Sequence, residues 1–488
     1  MFAGLGCNKK VILLSTIHHP VWDRSPQGYR KEEDLKCSQQ PWQAKFYNEV
    51  KNLDYPALGI GIYKSRHSTQ KFSYLIIENY GIQEDPSNND ERINFYFRNV
   101  GDSIRTSQDL ANALPTSNKF PSTTSSVPFF ISTIDINQLL SILQNLGETP
   151  PKAWEIFWEI LCLSELLKKF NIFYDITILE KFYYSINSGN KFVILSGPTG
   201  TGKTLLGMIY AYIKSQNQAA FQVRNLPDFL KLVNDSYNEN ELKYGLMENP
   251  YLCFVRVQPN WVSPKDIIGY YNPFSNNFVE GQIFNFLMNA SQDKNNNYFL
   301  ILDEMNLSHP EWYLSDIISA METGGAIYIH DKIIPYPKNL FIIGTINLDE
   351  TTKELSPRLK SRAFYIEMRA NFDNYISKCN NNKEKEIAQI LKVIDENLKT
   401  IGLGLGYRDI KHIKEYVENG GKISDALIAK IIPRIRTTDE ELKNVVDEII
   451  KGLDSNNLGL KEFKNEDFEE FKEELENLKR KFEKYGYI

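Results

Sequence analysis

The sequence predicts an α/β protein whose main domain is a parallel sheet flanked by helices, placed between a smaller mixed α+β domain and a helical C-terminal part. A glycine-rich loop at residues 197–204, with the pattern G-x-x-x-x-G-K-T, follows the apolar run 192–195. A second apolar run, 298–302, ends in two acidic residues, and a third, 340–346, ends in an asparagine. Segments with helical periodicity separate these runs, and such alternation is typical of parallel strands joined by crossover helices.

Composition and pattern predict four segments along the 488 residues. Residues 1–135 contain short β-type runs between polar turns, which favours a small mixed α+β domain. Residues 136–185 have helical periodicity and are interpreted as a linker, while residues 186–370 hold the alternating strands and helices of the core. In residues 371–488 the strand signal fades, and helices are predicted.

The glycine-rich loop predicts a site for the phosphates of a nucleotide. Its glycines let the backbone fold tightly, so that its N–H groups point at a phosphate, and the following helix adds its positive N-terminus. Lys203 can reach the β- and γ-phosphates, and the Thr204 hydroxyl can hold Mg²⁺. An ordinary glycine-rich turn is disfavoured by the flanking strand and helix. The predicted nucleotide-binding residues are Gly197, Pro198, Thr199, Gly200, Thr201, Gly202, Lys203, Thr204 and Leu205.

The second apolar run indicates a buried parallel strand that brings two carboxylates to its C-terminal end. Asp303 is placed to join Thr204 in holding Mg²⁺. Glu304 is placed to polarise the attacking water, because a carboxylate beside a metal-bound phosphate is a competent base. An apolar strand that ends in Asp-Glu is common by itself, but its combination with the phosphate loop favours the catalytic interpretation.

The third apolar run ends at Asn347, whose amide can orient water between Glu304 and the γ-phosphate. The alternative is that Asn347 only caps a turn. Beyond it, Arg358 and Arg362 precede a strand-like segment. An arginine that reaches a neighbouring subunit's γ-phosphate stabilises the transition state, and we favour Arg362 for this role, with Arg358 second. Either arginine could instead be a surface cation.

The whole-chain properties bound the class of protein. The net charge is −6, so any contact with nucleic acid must come from a local patch. The five cysteines are scattered without a C-x-x-C pair, which is typical of reduced thiols. The chain lacks a stretch of about 18 apolar residues and a signal-peptide pattern, and a cytoplasmic protein without a membrane association is predicted.

Several motifs together resemble the dynein-related branch of the AAA+ ATPases. Within that branch they are most similar to the McrB-type motor subunits of modification-dependent (type IV) restriction systems. The resemblance covers roughly residues 185 to 450. Its motifs lie at 261–270, 272–273, 278, 302–308, 344–352, 406–408 and 431–434.

The resemblance implies an AAA+ αβα core with a C-terminal helical lid. In the lid, Arg408 matches a second-sensor arginine over the γ-phosphate. It also implies a ring, usually a hexamer, that hydrolyses GTP in preference to ATP and is stimulated by a separate McrC-type endonuclease subunit. The small GTPase signature Asn-Lys-x-Asp is absent from the sequence, but McrB-type motors bind guanine without it.

In such motors the N-terminal domain recognises modified double-stranded DNA, and some versions use small PUA-, EVE- or YTH-like barrels that accept a flipped base. Here residues 1–135 have a suitable length and strand content. Flat side chains can stack on a flipped base while cations bind the backbone, although aromatic residues can equally form a core. The candidate DNA-binding residues are Trp22, Tyr29, Trp42, Arg24 and Arg30.

These features favour an NTP-driven motor of a modification-dependent restriction system. The sequence shows no convincing P-D-(D/E)-x-K nuclease signature, so DNA cleavage is expected from a partner. The alternative is a MoxR-like or dynein-related ATPase that remodels protein complexes and whose front domain binds a protein. A binding module with vestigial hydrolysis is disfavoured because Lys203, Thr204, Asp303 and Glu304 are all present.

Overall fold

A computed structural model describes most of the chain, in two compact units that divide between Glu165 and Leu166. The described residues are 10–16, 56–63, 71–84, 91–115, 129–168, 172–189, 191–215, 249–329, 332–347, 355–379, 381–435, 440–454 and 458–486.

The first unit contains a five-stranded sheet of order β4-β3-β2-β1-β5. The strands β1 and β2 are parallel, and the other neighbouring pairs are antiparallel. The strands are β1 Lys10–Thr16, β2 Ala57–Tyr63, β3 Lys71–Glu84, β4 Glu91–Thr106 and β5 Phe129–Asp135. The helices are α1 Ser107–Ala113, α2 Ile136–Asn145 and α3 Lys152–Lys168, the last of which crosses the division between the units.

The core of the first unit contains aromatic side chains and one buried carboxylate. Trp154 packs edge-on against Tyr74, with 5.6 Å between the ring centroids, and its Nε1 donates to the Gly59 carbonyl at 3.4 Å. The carboxylate of Glu148 accepts from the Tyr74 hydroxyl at 3.3 Å and from the backbone N–H groups of Ile104 and Arg105. These bonds satisfy an acid that would be unstable if it were buried alone.

The second unit contains a parallel five-stranded sheet of order β14-β6-β13-β10-β7, together with the antiparallel hairpins β8–β9 and β11–β12. The predicted parallel sheet is thus confirmed, and the three apolar runs form its central strands. The strands are β6 Phe192–Gly197, β7 Leu252–Arg256, β8 Gly269–Asn272, β9 Asn277–Glu280, β10 Tyr298–Asp303, β11 Ala326–Ile329, β12 Lys332–Pro335, β13 Leu340–Asn347 and β14 Phe364–Glu367.

Helices of the second unit precede, connect and follow these strands. Those up to the last strand are α4 Ile176–Ile186, α5 Lys203–Ser215, α6 Phe284–Gln292, α7 Pro310–Tyr313, α8 Ser315–Thr323 and α9 Pro357–Lys360. Those beyond it are α10 Phe372–Lys378, α11 Asn382–Leu398, α12 Tyr407–Glu418, α13 Ile423–Ile431, α14 Leu442–Asp454 and α15 Glu469–Tyr485.

The three central strands, β6, β13 and β10, are buried on both faces, which explains why they are continuous apolar runs. Alternate residues of a strand point to opposite faces. On one face, Leu300 and Leu302 join a core cluster with Leu287 of α6. On the other, Phe299 packs edge-on against Tyr210 of α5, with 6.1 Å between the ring centroids. The mixed α/β architecture is therefore a sheet with helices on both faces.

The helices beyond β14 pack against one another through apolar faces. In α11 the buried side chains recur at helical spacing, and α14 supplies a matching apolar face. The buried positions in α11 are Ile387, Ile390, Leu391 and Ile394. Over the described ranges, no helix combines the length and the apolar character needed to cross a bilayer.

Candidate functional site

The candidate site begins in the loop between the end of β6 and the start of α5. The backbone of Gly200 has a φ of 78°, in the left-handed region that favours glycine. A side chain at Gly197 would place its Cβ 2.0 Å from the carbonyl oxygen of Met368. The structure thus gives a physical reason for glycine at both positions, one conformational and one steric.

The ammonium group of Lys203 lies inside this loop. The residue is 5% exposed, and its Nζ donates to the carbonyl oxygens of Gly197 at 2.8 Å and Pro198 at 2.7 Å. A buried cation requires such hydrogen bonds. Because charged oxygens form stronger hydrogen bonds than carbonyl oxygens, a phosphate in the loop can take these donors over.

Thr204 and Asp303 are in direct contact, which their proposed roles require. The Thr204 hydroxyl donates to Asp303 Oδ1 at 2.7 Å, and Thr345 donates to the same oxygen at 2.8 Å. Because the Thr204 hydroxyl directs its proton at the carboxylate, the lone pairs of the Thr204 hydroxyl oxygen remain available for a cation. Mg²⁺ prefers hard oxygen ligands, with one or two carboxylates and several waters. A hydroxyl and a carboxylate at the phosphate loop fit that preference.

Glu304 follows directly and has an unusual backbone. Its φ of 51° lies in the left-handed region, which is rare for a residue with a side chain. Its N–H donates to the Thr345 hydroxyl oxygen at 3.0 Å, and its Oε1 accepts from Asn347 Nδ2 at 3.1 Å. Its Oε2 lies 4.0 Å from Arg256 Nε. The carboxylate therefore has a defined orientation at the end of β10.

The structure brings Asn347 into contact with Glu304. The backbone oxygen of Asn347 accepts from Asn306 Nδ2 at 3.2 Å. Asn306 is 3% exposed, and its Oδ1 has no hydrogen-bond partner among the described residues. The assigned roles of Asn347 and Glu304 remain proposals, but their side chains are in direct contact.

The two candidate arginines, Arg358 and Arg362, lie near a different carboxylate, that of Glu322. Arg362 Nε lies 2.7 Å from Glu322 Oε1, and Arg358 NH2 lies 3.8 Å from the same oxygen. Both side chains are partly exposed, so neither is locked inside the fold. A role for Arg362 at the site of a neighbouring subunit stays a prediction.

The start of α12 lies against the phosphate loop and positions Arg408. The backbone N–H of Arg408 donates to the Gly200 carbonyl at 3.4 Å. A Cβ at Gly200 would lie 2.7 Å from Arg408 Cβ, and one at Gly406 would lie 2.3 Å from the Thr199 carbonyl oxygen. The structure therefore places the backbone of Arg408 beside the loop, and its role over a γ-phosphate stays a prediction.

A buried ion pair fixes this end of α12. Asp409 accepts from the Gly406 N–H at 2.9 Å and from Arg434 through both carboxylate oxygens, at 2.8 and 2.6 Å. The Asp409 side chain is 1% exposed, whereas that of Arg434 is 34% exposed. Removing one partner of a buried pair leaves an uncompensated charge, which is strongly destabilising.

Substitution of Arg434 by methionine is therefore expected to lower the free energy of unfolding by about 2–3 kcal/mol, less than a fully buried pair because the guanidinium is partly solvated. Urea unfolding followed by circular dichroism measures this loss. Lys443→Met is the matched control because Lys443 forms an exposed ion pair, with its Nζ 3.9 Å from Glu483 Oε1. That change is expected to stay within about 1 kcal/mol, and an equal effect of the two variants would contradict the prediction.

The short segment before α4 also contacts the loop, which the sequence did not suggest. The Tyr174 hydroxyl donates to the Thr201 carbonyl at 2.5 Å, and a Cβ at Gly202 would lie 2.5 Å from Ile172 Cδ1. Burial raises the pKa of Tyr174 well above its usual value, so its hydroxyl remains a donor. The Tyr407 hydroxyl donates to the Phe173 carbonyl and links this segment to α12.

Three parts of the site were missed by sequence reasoning. They are Thr345, Arg256 and the segment at 172–174. Thr345 left one signal, since it is a polar residue inside an otherwise apolar strand. Arg256 and the segment at 172–174 left none, because only packing brings them to the loop or to Glu304. The candidate DNA-binding residues Trp22, Tyr29, Trp42, Arg24 and Arg30 lie outside the described residues.

Two comparisons with known proteins bear on this site. A family model described as a domain of unknown function (DUF8727) matches residues 358–487. The "Type IV methyl-directed restriction enzyme EcoKMcrB subunit" of Escherichia coli (strain K12) is 24% identical over 233 residues, which are 44% of this chain and 42% of that protein. The match thus spans less than half of the relative. It supports a distant McrB-like relationship and suggests an McrB-like AAA+ nucleoside triphosphatase.

Proposed function

We propose that the chain is a Mg²⁺-dependent nucleoside triphosphatase that works as the motor subunit of a modification-dependent restriction system. The observation that carries this proposal is the hydrogen bond of 2.7 Å from Thr204 to Asp303. It joins the phosphate loop, which already holds a buried lysine, to the acidic end of the neighbouring strand. This is the arrangement that phosphoryl transfer to water requires.

Each residue of the candidate site has a separate role in the proposed hydrolysis. Water attacks the γ-phosphorus and gives a proton to Glu304, while the bond from that phosphorus to the β–γ bridging oxygen breaks. Asn347 orients the water through its contact with Glu304, and Lys203 with the loop N–H groups binds the charged oxygens. Thr204 and Asp303 would hold Mg²⁺, which supplies charge neutralisation when bound. Arg408, on the proposed helical lid, would reach the γ-phosphate.

The nucleoside is expected on the opposite side of the loop from this chemistry. Asp303 and Asn347 end β10 and β13, which lie to one side of β6, and β14 lies to the other. The segment at 172–174 and the start of α12 both contact the loop, and α4, which follows that segment, packs mainly on β6 and β14. We propose that the base and ribose bind between them.

GTP is the proposed preferred substrate, with ATP second. The test is steady-state hydrolysis of each nucleotide by the full chain, with and without Mg²⁺. We expect a higher kcat/KM for GTP and no turnover in EDTA. A higher kcat/KM for ATP would remove the guanine preference while leaving the triphosphatase intact. Absence of turnover with both nucleotides, alone and with a partner endonuclease, would remove the proposed function.

The restriction role assigns DNA recognition to the front domain, residues 1–135, and cleavage to an McrC-type partner. The name of the Escherichia coli relative, a methyl-directed restriction enzyme subunit, supports this part. A ring, usually a hexamer, would place Arg362 at a neighbour's site. The test is binding of the full chain to duplexes that differ only in methylation. Tighter binding of the methylated duplex is expected, and equal affinity would exclude the restriction role.

A second candidate is a MoxR-like or dynein-related ATPase that remodels protein complexes. It is favoured by the two adjacent hairpins, each of which exposes a cross-strand pair of an aromatic and an aliphatic residue. The exposed residues are Tyr270, Val279, Tyr328 and Ile333, with Phe274 at the tip of the first hairpin. This candidate predicts an ATP preference and no affinity for DNA, which the same two measurements distinguish.

A further inference from the structure

We infer that Thr345 is a positioning residue, whose single hydroxyl aligns the magnesium-binding carboxylate with the catalytic base. The inference rests on the proposed function, because it concerns how that site is held in its active geometry. Thr345 lies in β13 two residues before Asn347 and is 2% exposed. It therefore has no access to solvent and must satisfy its hydroxyl within the protein.

The hydroxyl does so by bridging two adjacent residues. It donates its proton to Asp303 Oδ1 at 2.8 Å and accepts from the Glu304 N–H at 3.0 Å. A hydroxyl has one proton and two lone pairs, so one group can serve both neighbours at once. The bond to Asp303 makes its Oδ1 the acceptor of two threonine protons, from Thr345 and Thr204. The two bonds together hold the position of this one carboxylate oxygen.

The second bond acts on a strained backbone. Glu304 has a φ of 51°, which a residue with a side chain adopts only when the surroundings hold it there. The Thr345 hydroxyl is a direct restraint on its N–H. Without that acceptor the peptide before Glu304 can rotate towards a commoner conformation. Its carboxylate would then leave Asn347 and the position of the attacking water.

The strand register explains why this residue can do so. Leu302 is paired with Gly344 across β10 and β13, which puts Thr345 beside Asp303 at the ends of the two strands. The other residues of β13 before Asn347 are apolar. Valine has nearly the same shape as threonine, so Thr345→Val removes the hydroxyl without leaving the cavity that an alanine would leave.

The test compares Thr345→Val with Thr345→Ser in the full chain. Groups that orient a metal ligand typically change metal affinity or activity by about 10–100-fold when they are removed. We therefore expect Thr345→Val to lower kcat by about 10–100-fold and to raise the Mg²⁺ concentration at half-saturation, with little change in the KM for GTP. Thr345→Ser keeps the hydroxyl and is expected to stay close to the unsubstituted chain. Thr400→Val, at an exposed threonine, is the matched control.

A second readout does not require turnover. Mg²⁺ titration of the binding of a fluorescent, non-hydrolysable GTP analogue is expected to show a weaker metal dependence in Thr345→Val only. The inference would be overturned if Thr345→Val kept the metal dependence and the kcat of the unsubstituted chain. It would also be overturned if Thr345→Ser were impaired as much as Thr345→Val and had a lowered melting temperature, because the loss would then come from packing and not from the hydroxyl. An unsubstituted chain that neither binds nor hydrolyses nucleotide would instead contradict the proposed function.

Discussion

Glu304→Gln is expected to lower the rate of nucleotide hydrolysis by about 10²–10⁴-fold, the usual contribution of a general base. Glutamine keeps the shape and can still accept a hydrogen bond from Asn347, but it cannot take a proton from water. In the proposed mechanism, nucleotide binding depends on the loop and Lys203, which the change leaves intact. The variant should therefore retain bound nucleoside triphosphate. Single-turnover hydrolysis and chromatography of the bound nucleotide measure this retention.

The matched control is Glu473→Gln, at an exposed glutamate on α15. It removes the same charge from the chain and is expected to leave turnover unchanged. If Glu304→Gln hydrolysed nucleotide at the unsubstituted rate, Glu304 would not be the base. The contacts of Lys203 and Thr204 would then still support nucleotide binding, and another acidic residue would have to act as the base.

Arg362→Ala is expected to reduce hydrolysis by about 10³–10⁵-fold if the arginine stabilises the transition state at a neighbouring subunit. In the single chain its guanidinium lies 2.7 Å from Glu322, so it must exchange this partner for a phosphate when subunits assemble. Steady-state hydrolysis of the assembled protein measures the loss. Arg480→Ala, at an exposed arginine on α15, is the control for loss of a surface cation.

Mixing variants distinguishes an action between subunits from an action within one. Arg362→Ala retains its own loop, and Glu304→Gln retains Arg362. In a mixed ring, some intact sites receive an intact arginine from the neighbour, so hydrolysis is expected to rise above that of either variant alone. Absence of any rise would place the effect of Arg362 within its own chain. A comparable loss in Arg358→Ala would assign the role to the pair.

Much of the candidate site was predictable because its determinants are local. Glycines at 197, 200 and 202 are needed by the turn itself, and the lysine and threonine follow at positions that the turn and the next helix dictate. The buried strand before Asp303 was readable from its apolar run. Parallel strands bring their C-terminal residues to one edge of a sheet, so the acidic and amide side chains that end two of these runs were expected near the loop.

Contacts between distant segments were not predictable in this way. The hydrogen bond from Tyr174 to Thr201 joins the site to a segment that the sequence suggested was only a linker. The pairing of Arg362 with Glu322 depends on where the fold places α8 and the turn after α9, and neither residue has a local signal. Such contacts depend on side-chain directions that are set by the whole fold.

The sequence by itself determined that this chain has a glycine-rich loop between a strand and a helix, an acidic strand end and an α/β core, because glycine conformation and apolar periodicity act over a few residues. Only the tertiary structure decided that Thr345 lies between Asp303 and Glu304, that Glu304 adopts a left-handed backbone, and that α12 closes on the loop. The physical reason is that strand register and helix packing are properties of the assembled core. A shift of one residue in the pairing of β10 and β13 would have turned Thr345 away from Asp303.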